Sequence, residues 1–166
     1  MFLRCSMILV ASLFCSVSVA AQEVFDTWRY TTEAPGDDWQ QAAFDDSNWN
    51  EGDGGFGTRG TPGSRIGTQW DTNDIWLRKK FDLASIPARP ALLLHHDEDA
   101  TVYINGILAT HAEGYTSSYV FVELTPEGHT ALRPGENLIA IHCRQTSGGQ
   151  YIDAGLLDLS EPPEKK

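Results

Sequence analysis

Tyr103-Ile104-Asn105-Gly106-Ile107-Leu108 is the stretch on which the fold class turns. Two short apolar runs flank Asn-Gly, and both turn residues tolerate the positive φ of a type I′ turn, so the stretch reads as a tight hairpin. Working outward, similar short runs rich in β-branched and aromatic residues occur at 28–32, 75–81, 91–96, 101–104, 107–110, 119–124, 138–144 and 151–159. Gly, Pro, Asn and Asp separate them, and Pro134-Gly135-Glu136-Asn137 marks a second turn before the run at 138. Helical periodicity is nearly absent. Short strands without βαβ alternation indicate an all-β fold, a two-sheet sandwich or jelly roll.

The chain of 166 residues opens with Arg4, an apolar run over 7–14 and the small residues of 16–21. That order is expected of a secretory leader, with cleavage after Ala21, and the apolar run is shorter than the ~20 residues of a membrane span. The expected organisation is a leader over 1–21, one sandwich domain over 22–160 and a flexible tail over 161–166. The location expected is secreted or periplasmic. Cys5 and Cys15 fall in the leader, which leaves Cys143 alone in a strand-like run, read as a small buried hydrophobe rather than a disulfide partner. The net charge of −11 becomes one unit more negative when the leader and its Arg4 are removed. With no basic cluster to offset it, nucleic acid and anionic membranes are poor partners, and a neutral ligand such as a sugar is compatible.

The chemistry of the side chains argues against a self-sufficient enzyme. No G-x-S-x-G elbow is present, and the Gly52–Gly63 loop lacks a G-K-[ST] ending. His95 and His96 adjoin on a strand, so their side chains leave opposite faces. Asp97-Glu98-Asp99 lacks the glycine and terminal glutamate of an EF-hand and reads as a solvated acidic turn, or as a possible structural calcium site. A glycosidase needs two carboxyl groups ~5–9.5 Å apart, a spacing that the mere abundance of Asp and Glu does not establish.

Aromatic and polar surface remains. Alternation in Ile75-Trp76-Leu77-Arg78-Lys79-Lys80-Phe81 puts Ile75, Leu77 and Phe81 on one face and Trp76, Arg78 and Lys80 on the other. Trp76 there is either a platform held by cation–π contact or a residue covered by the Trp-rich segment 35–72. Trp70, in Gly67-Thr68-Gln69-Trp70-Asp71-Thr72, is expected as the better exposed aromatic, and Tyr115, in Glu113-Gly114-Tyr115-Thr116, as the next.

Four segments in register carry a resemblance. Ile75–Phe81 resembles the W-x-R-x-x-F strand of the galactose-binding-like jelly roll at the front of family 2 glycoside hydrolases such as β-galactosidases. Thr101-Val102-Tyr103-Ile104-Asn105-Gly106 is similar to that domain's hairpin, Gly114-Tyr115-Thr116 to its G-G-Y-t turn, and 132–140 to its l-x-x-G-x-N-x-l-a strand. In those enzymes the domain is an accessory and the catalytic carboxylates sit in a separate barrel. The resemblance implies a galactose-binding-like sandwich and a non-catalytic carbohydrate-binding module. Its rim would hold a glycan through Trp70 and Tyr115, with Arg78, His96 and Asp97 offering hydrogen bonds. A protein-interaction domain of an exported assembly and a small glycan hydrolase are the alternatives.

Overall fold

The computed structural model describes residues 23–24 and 27–160. The expected leader and tail lie outside the described residues. The chain forms two packed sheets. Sheet A has the order β10(Val120–Glu123)-β7(Pro90–Asp97)-β12(Tyr151–Asp158)-β4(Phe56–Gly57)-β5(Thr68–Gln69), with β1(Glu23–Val24) paired to β12. Sheet B has the order β3(Asn50–Asp53)-β2(Thr27–Thr31)-β6(Asp74–Leu83)-β11(Gly135–Arg144)-β8(Asp99–Ile104)-β9(Ile107–Ala112). From β6 onward the chain crosses repeatedly between the sheets, the winding of a jelly-roll sandwich. One short helix, α1(Pro126–Ala131), starts where Thr125 caps the Gly128 N–H and Pro126 occupies the first turn.

Strand alternation makes the core. Ile75, Leu77 and Phe81 of β6, Ile139, Ile141 and Cys143 of β11, and Val102 and Ile104 of β8 face Leu92 and Leu94 of β7 and Ile152, Ala154 and Leu156 of β12. Burial pushes the Cys143 thiol well above its ordinary range, so it behaves as an inert apolar group. The hairpin turn is as the sequence implies, with Asn105 at φ 51° and Gly106 at φ 85°. Its asparagine also works at a distance. The Asn105 amide donates to Ala131 O and to Asn137 Oδ1, both at 2.8 Å, and accepts from the Leu138 N–H at 2.8 Å. Asn137, fully buried, donates in turn to Arg133 O and Gly135 O. Two facing amides thus tie the hairpin to the start of β11.

The segment 36–49 folds as an arm over the outer face of sheet B, and Arg78 holds it there. Arg78 is 1% exposed. Its Nε donates to Asp46 at 2.6 Å, its Nη1 to the carbonyls of Trp39 and, at 3.0 Å, Gln41, and its Nη2 to Phe44 O at 3.4 Å. The guanidinium lies 5.3 Å from the Phe44 ring centre. Arg78, expected to meet ligand, is therefore spent inside the fold, because its planar fork matches a set of carbonyls that β structure leaves unpaired. Trp70 is a second correction. It is 2% exposed, packed in the core, and its indole N–H donates to Thr72 Oγ1 at 3.0 Å. The sequence places it in a loop, but β4 and β5 turn that loop into an edge of sheet A that carries Trp70 inward.

Replacing Arg78 by Met should lower unfolding free energy by about 3–5 kcal/mol, since it strips a buried donor from three part-buried carbonyls and from Asp46. Arg78→Lys should recover little of this, because an ammonium cannot reproduce the fork. Urea denaturation followed by fluorescence checks both.

Candidate functional site

The ends of β7, β8, β11 and β12 and the segments 58–67 and 113–119 meet at one rim of the sandwich. Asp97 and Tyr115 form an antiparallel bridge there. The Thr116 N–H donates to His96 O at 2.8 Å, the His96 N–H donates to Thr116 Oγ1 at 3.3 Å, and His95 Nε2 donates to Thr116 O at 3.1 Å. The turn after β9 is thereby stitched to the end of β7.

His96, Asp97 and Tyr115 do come together, but not equally at the surface. His96 is buried, and its Nδ1 donates to Glu98 O at 2.6 Å. Asp97 is nearly buried beneath Gly149 and Thr61; a Cβ on Gly149 would stand 2.3 Å from Asp97 Oδ2. Burial and the neighbouring Glu98 charge raise the Asp97 carboxyl above its ordinary range, with His96 acting the other way. Tyr115 is 69% exposed, the most accessible of the large hydrophobic side chains described. It is the one residue of the expected set whose ring is largely presented to solvent.

Beneath the rim lies a polar cluster that sequence reasoning missed. β7 and β12 place His95 opposite Asp153, on the outer face of sheet A beside Tyr151. Tyr119 folds over them from the strand approach to β10. Its hydroxyl donates to Asp153 and stands 3.3 Å from the Tyr151 hydroxyl, which itself donates to Arg65 O at 3.1 Å. The His95 ring lies 4.5 Å from Tyr151 and 5.4 Å from Tyr119, ring centre to ring centre. Burial lowers the His95 pKa and raises that of Asp153; the Tyr119 hydrogen bond opposes the rise at Asp153. Alternation along 151–153 was the available signal, since Tyr151 and Asp153 must share a face.

This arrangement positions loops, and its carboxylates are engaged within the fold. The Asp153 carboxylate is engaged by Tyr119 and by the Ala154 N–H. Asp99 accepts from the Gly114 N–H at 2.6 Å, and Glu98 accepts from Thr146. Among the described residues no group of three or more His, Cys, Asp or Glu is placed to hold a metal ion. Of the acidic turn 97–99, the Glu98 and Asp99 carboxylates thus serve the protein's own donors.

Neither a family model nor a curated protein matches the sequence. The fold does have solved counterparts. A family 2 glycoside hydrolase from Bacteroides cellulosilyticus superposes with a TM-score of 0.58 at 16% identity, over 82% of this chain and 21% of that one. A β-glycosidase from Bacteroides vulgatus gives 0.53 at 20% identity, over 82% and 20%. A β-glucuronidase from Bacteroides uniformis gives 0.52 at 19% identity, over 82% and 17%. The chain spans about a fifth of the length of these enzymes, and what it shares with that fifth is the two-sheet fold. No helix among the described residues is long and apolar enough to cross a membrane.

Removing the Tyr119 hydroxyl tests the cluster. Tyr119→Phe should cost about 1–3 kcal/mol at neutral pH, because a largely buried carboxylate loses its donor. An acid whose folded pKa is raised loses stability as pH rises from its unfolded value of about 4. Without the Tyr119 bond the Asp153 pKa rises further, so the gap between variant and wild type should widen from pH 4 to pH 7 in urea titrations.

Proposed function

We propose that the protein is an exported, non-catalytic carbohydrate-binding module of the galactose-binding-like type, the accessory kind found in family 2 glycoside hydrolases. The observation that carries this reading is the match of most of this chain to about a fifth of such enzymes. The rim supports it. Tyr115 offers an exposed ring beside the backbone of Asp97 and the turn at Thr116, and aromatic rings with a few fixed polar groups suit sugar faces and hydroxyls. The acidic balance of the chain suits a neutral sugar better than a sulfated or phosphorylated one.

A second reading is favoured by a different surface. Val120 and Phe121 on the edge strand β10, the latter 64% exposed, and Ile107 and Leu108 on the edge strand β9 are large apolar side chains left open to solvent. They suit contact with another protein.

Native affinity electrophoresis through gels containing neutral polysaccharide separates the two. Retardation of wild type, weakened about two- to tenfold by Tyr115→Ala, is the outcome expected if the rim contributes a stacking contact. A protein that migrates freely in every gel but co-purifies with a stoichiometric protein partner would overturn the carbohydrate reading in favour of the second.

A further inference from the structure

The five central and edge strands of sheet B bring a row of side chains into register on its outer face. Thr31 lies opposite Trp76, Trp76 opposite His142, His142 opposite Thr101, and Thr101 opposite His111. With strands ~4.8 Å apart, the row is roughly 19 Å long, the span of an oligosaccharide rather than of one sugar. All its members are at least partly exposed. The next row inward, at Arg78 and Tyr103, is roofed by the arm, whose Trp39 ring meets Tyr103 at 5.7 Å. The open row therefore runs along a wall.

Its chemistry is specific. The Trp76 and His142 rings are stacked, 4.6 Å between centres and 11° from parallel. His142 Nε2 donates to Asp74 Oδ1 at 2.8 Å, which fixes the ring and leaves Nδ1 as an acceptor when the ring is neutral. Among the described residues neither Trp76 Nε1 nor His142 Nδ1 has a hydrogen-bond partner. Thr101 Oγ1 and His111 Nδ1 are 2.9 Å apart at the far end. Donor, acceptor, hydroxyl and aromatic surface thus alternate along one line, a pattern that answers a chain of hydroxyls and ring C–H faces. On the rim side, the next row sets Asp74 and Asp99 against Arg144, and Glu113, just past β9, lies 3.9 Å from His111, a net negative border that disfavours a uronate.

We infer that this row is a binding ledge for a neutral oligosaccharide laid across the strands, with the Trp76–His142 pair at its centre. The inference rests on the carbohydrate reading above and moves the principal contact from the rim to the sheet face.

The test uses the full chain, run by native affinity electrophoresis in galactan, galactomannan or polygalacturonate. Wild type should be retarded by a neutral polymer and not by polygalacturonate. Trp76→Ala should weaken that retardation about tenfold. Thr101→Lys, which sets a long charged side chain across the row without touching the core, should abolish it while leaving the thermal midpoint unchanged. Should both variants bind like wild type while Tyr115→Ala loses binding, the ledge is overturned and the rim retained. Preferential retention by polygalacturonate overturns the ligand class. No retention of wild type in either neutral polymer overturns the ledge together with the carbohydrate reading beneath it.

Discussion

The buried guanidinium of Arg78 is the contact on which the surface of sheet B depends. It sits in β6, the third strand of that sheet, and bonds Asp46 together with the carbonyls of Trp39, Gln41 and Phe44. An arm of irregular backbone needs partners for its carbonyls, and a guanidinium supplies several in one plane. The arm in turn decides which part of the sheet face is roofed and which part is open. Trp76, two residues earlier on the same face of β6, is left outside the roof, and its neighbour across the ladder is a histidine rather than another covered residue. A single buried cation therefore sets the border between packed surface and accessible surface.

The rim follows a different logic. Its loops are held from beneath by hydrogen bonds and ring contacts among His95, Tyr119, Tyr151 and Asp153, not by a large apolar cluster. Such a network is costly to leave half-made in a low-dielectric setting, so it favours one loop arrangement over its alternatives. Rim and sheet face are adjacent, since Asp74, Asp99 and Arg144 end strands that pass directly under both.

Every strand-like run read from the sequence is a strand, and the Asn-Gly turn has the backbone expected of it. Those elements were legible because alternation and turn chemistry are local. β3, β4 and β5 were not, because Asn50–Asp53 and the two-residue strands carry no apolar alternation and exist only through their partners. The same cause misplaced Trp70, whose burial depends on a pairing of β4 with β5 that spans a glycine-rich loop. Arg78 was read correctly as facing away from the core side of β6, yet the arm that buries it is contributed from more than thirty residues earlier. The helix α1 had a readable start in Thr125-Pro126, but six residues are too few for periodicity to register. Of the expected rim set, strand direction brought His96, Asp97 and Tyr115 together; burial, which sequence does not carry, left Tyr115 alone largely open.

The crossing of strands between the two sheets has a kinetic consequence. Among the described residues only β2 with β3, β4 with β5 and β8 with β9 pair with their immediate successors; β6, β7, β10, β11 and β12 all find partners distant along the chain. Loop closure must precede those pairings, which places such a topology at the slow end of folding for its size. The Asn-Gly hairpin is the one extended pairing that closes cheaply, and its Asn105 side chain already carries the hydrogen-bond groups that receive Leu138 and Asn137. The turn is thus both the first local structure the chain can form and the template against which the later strand β11 is registered.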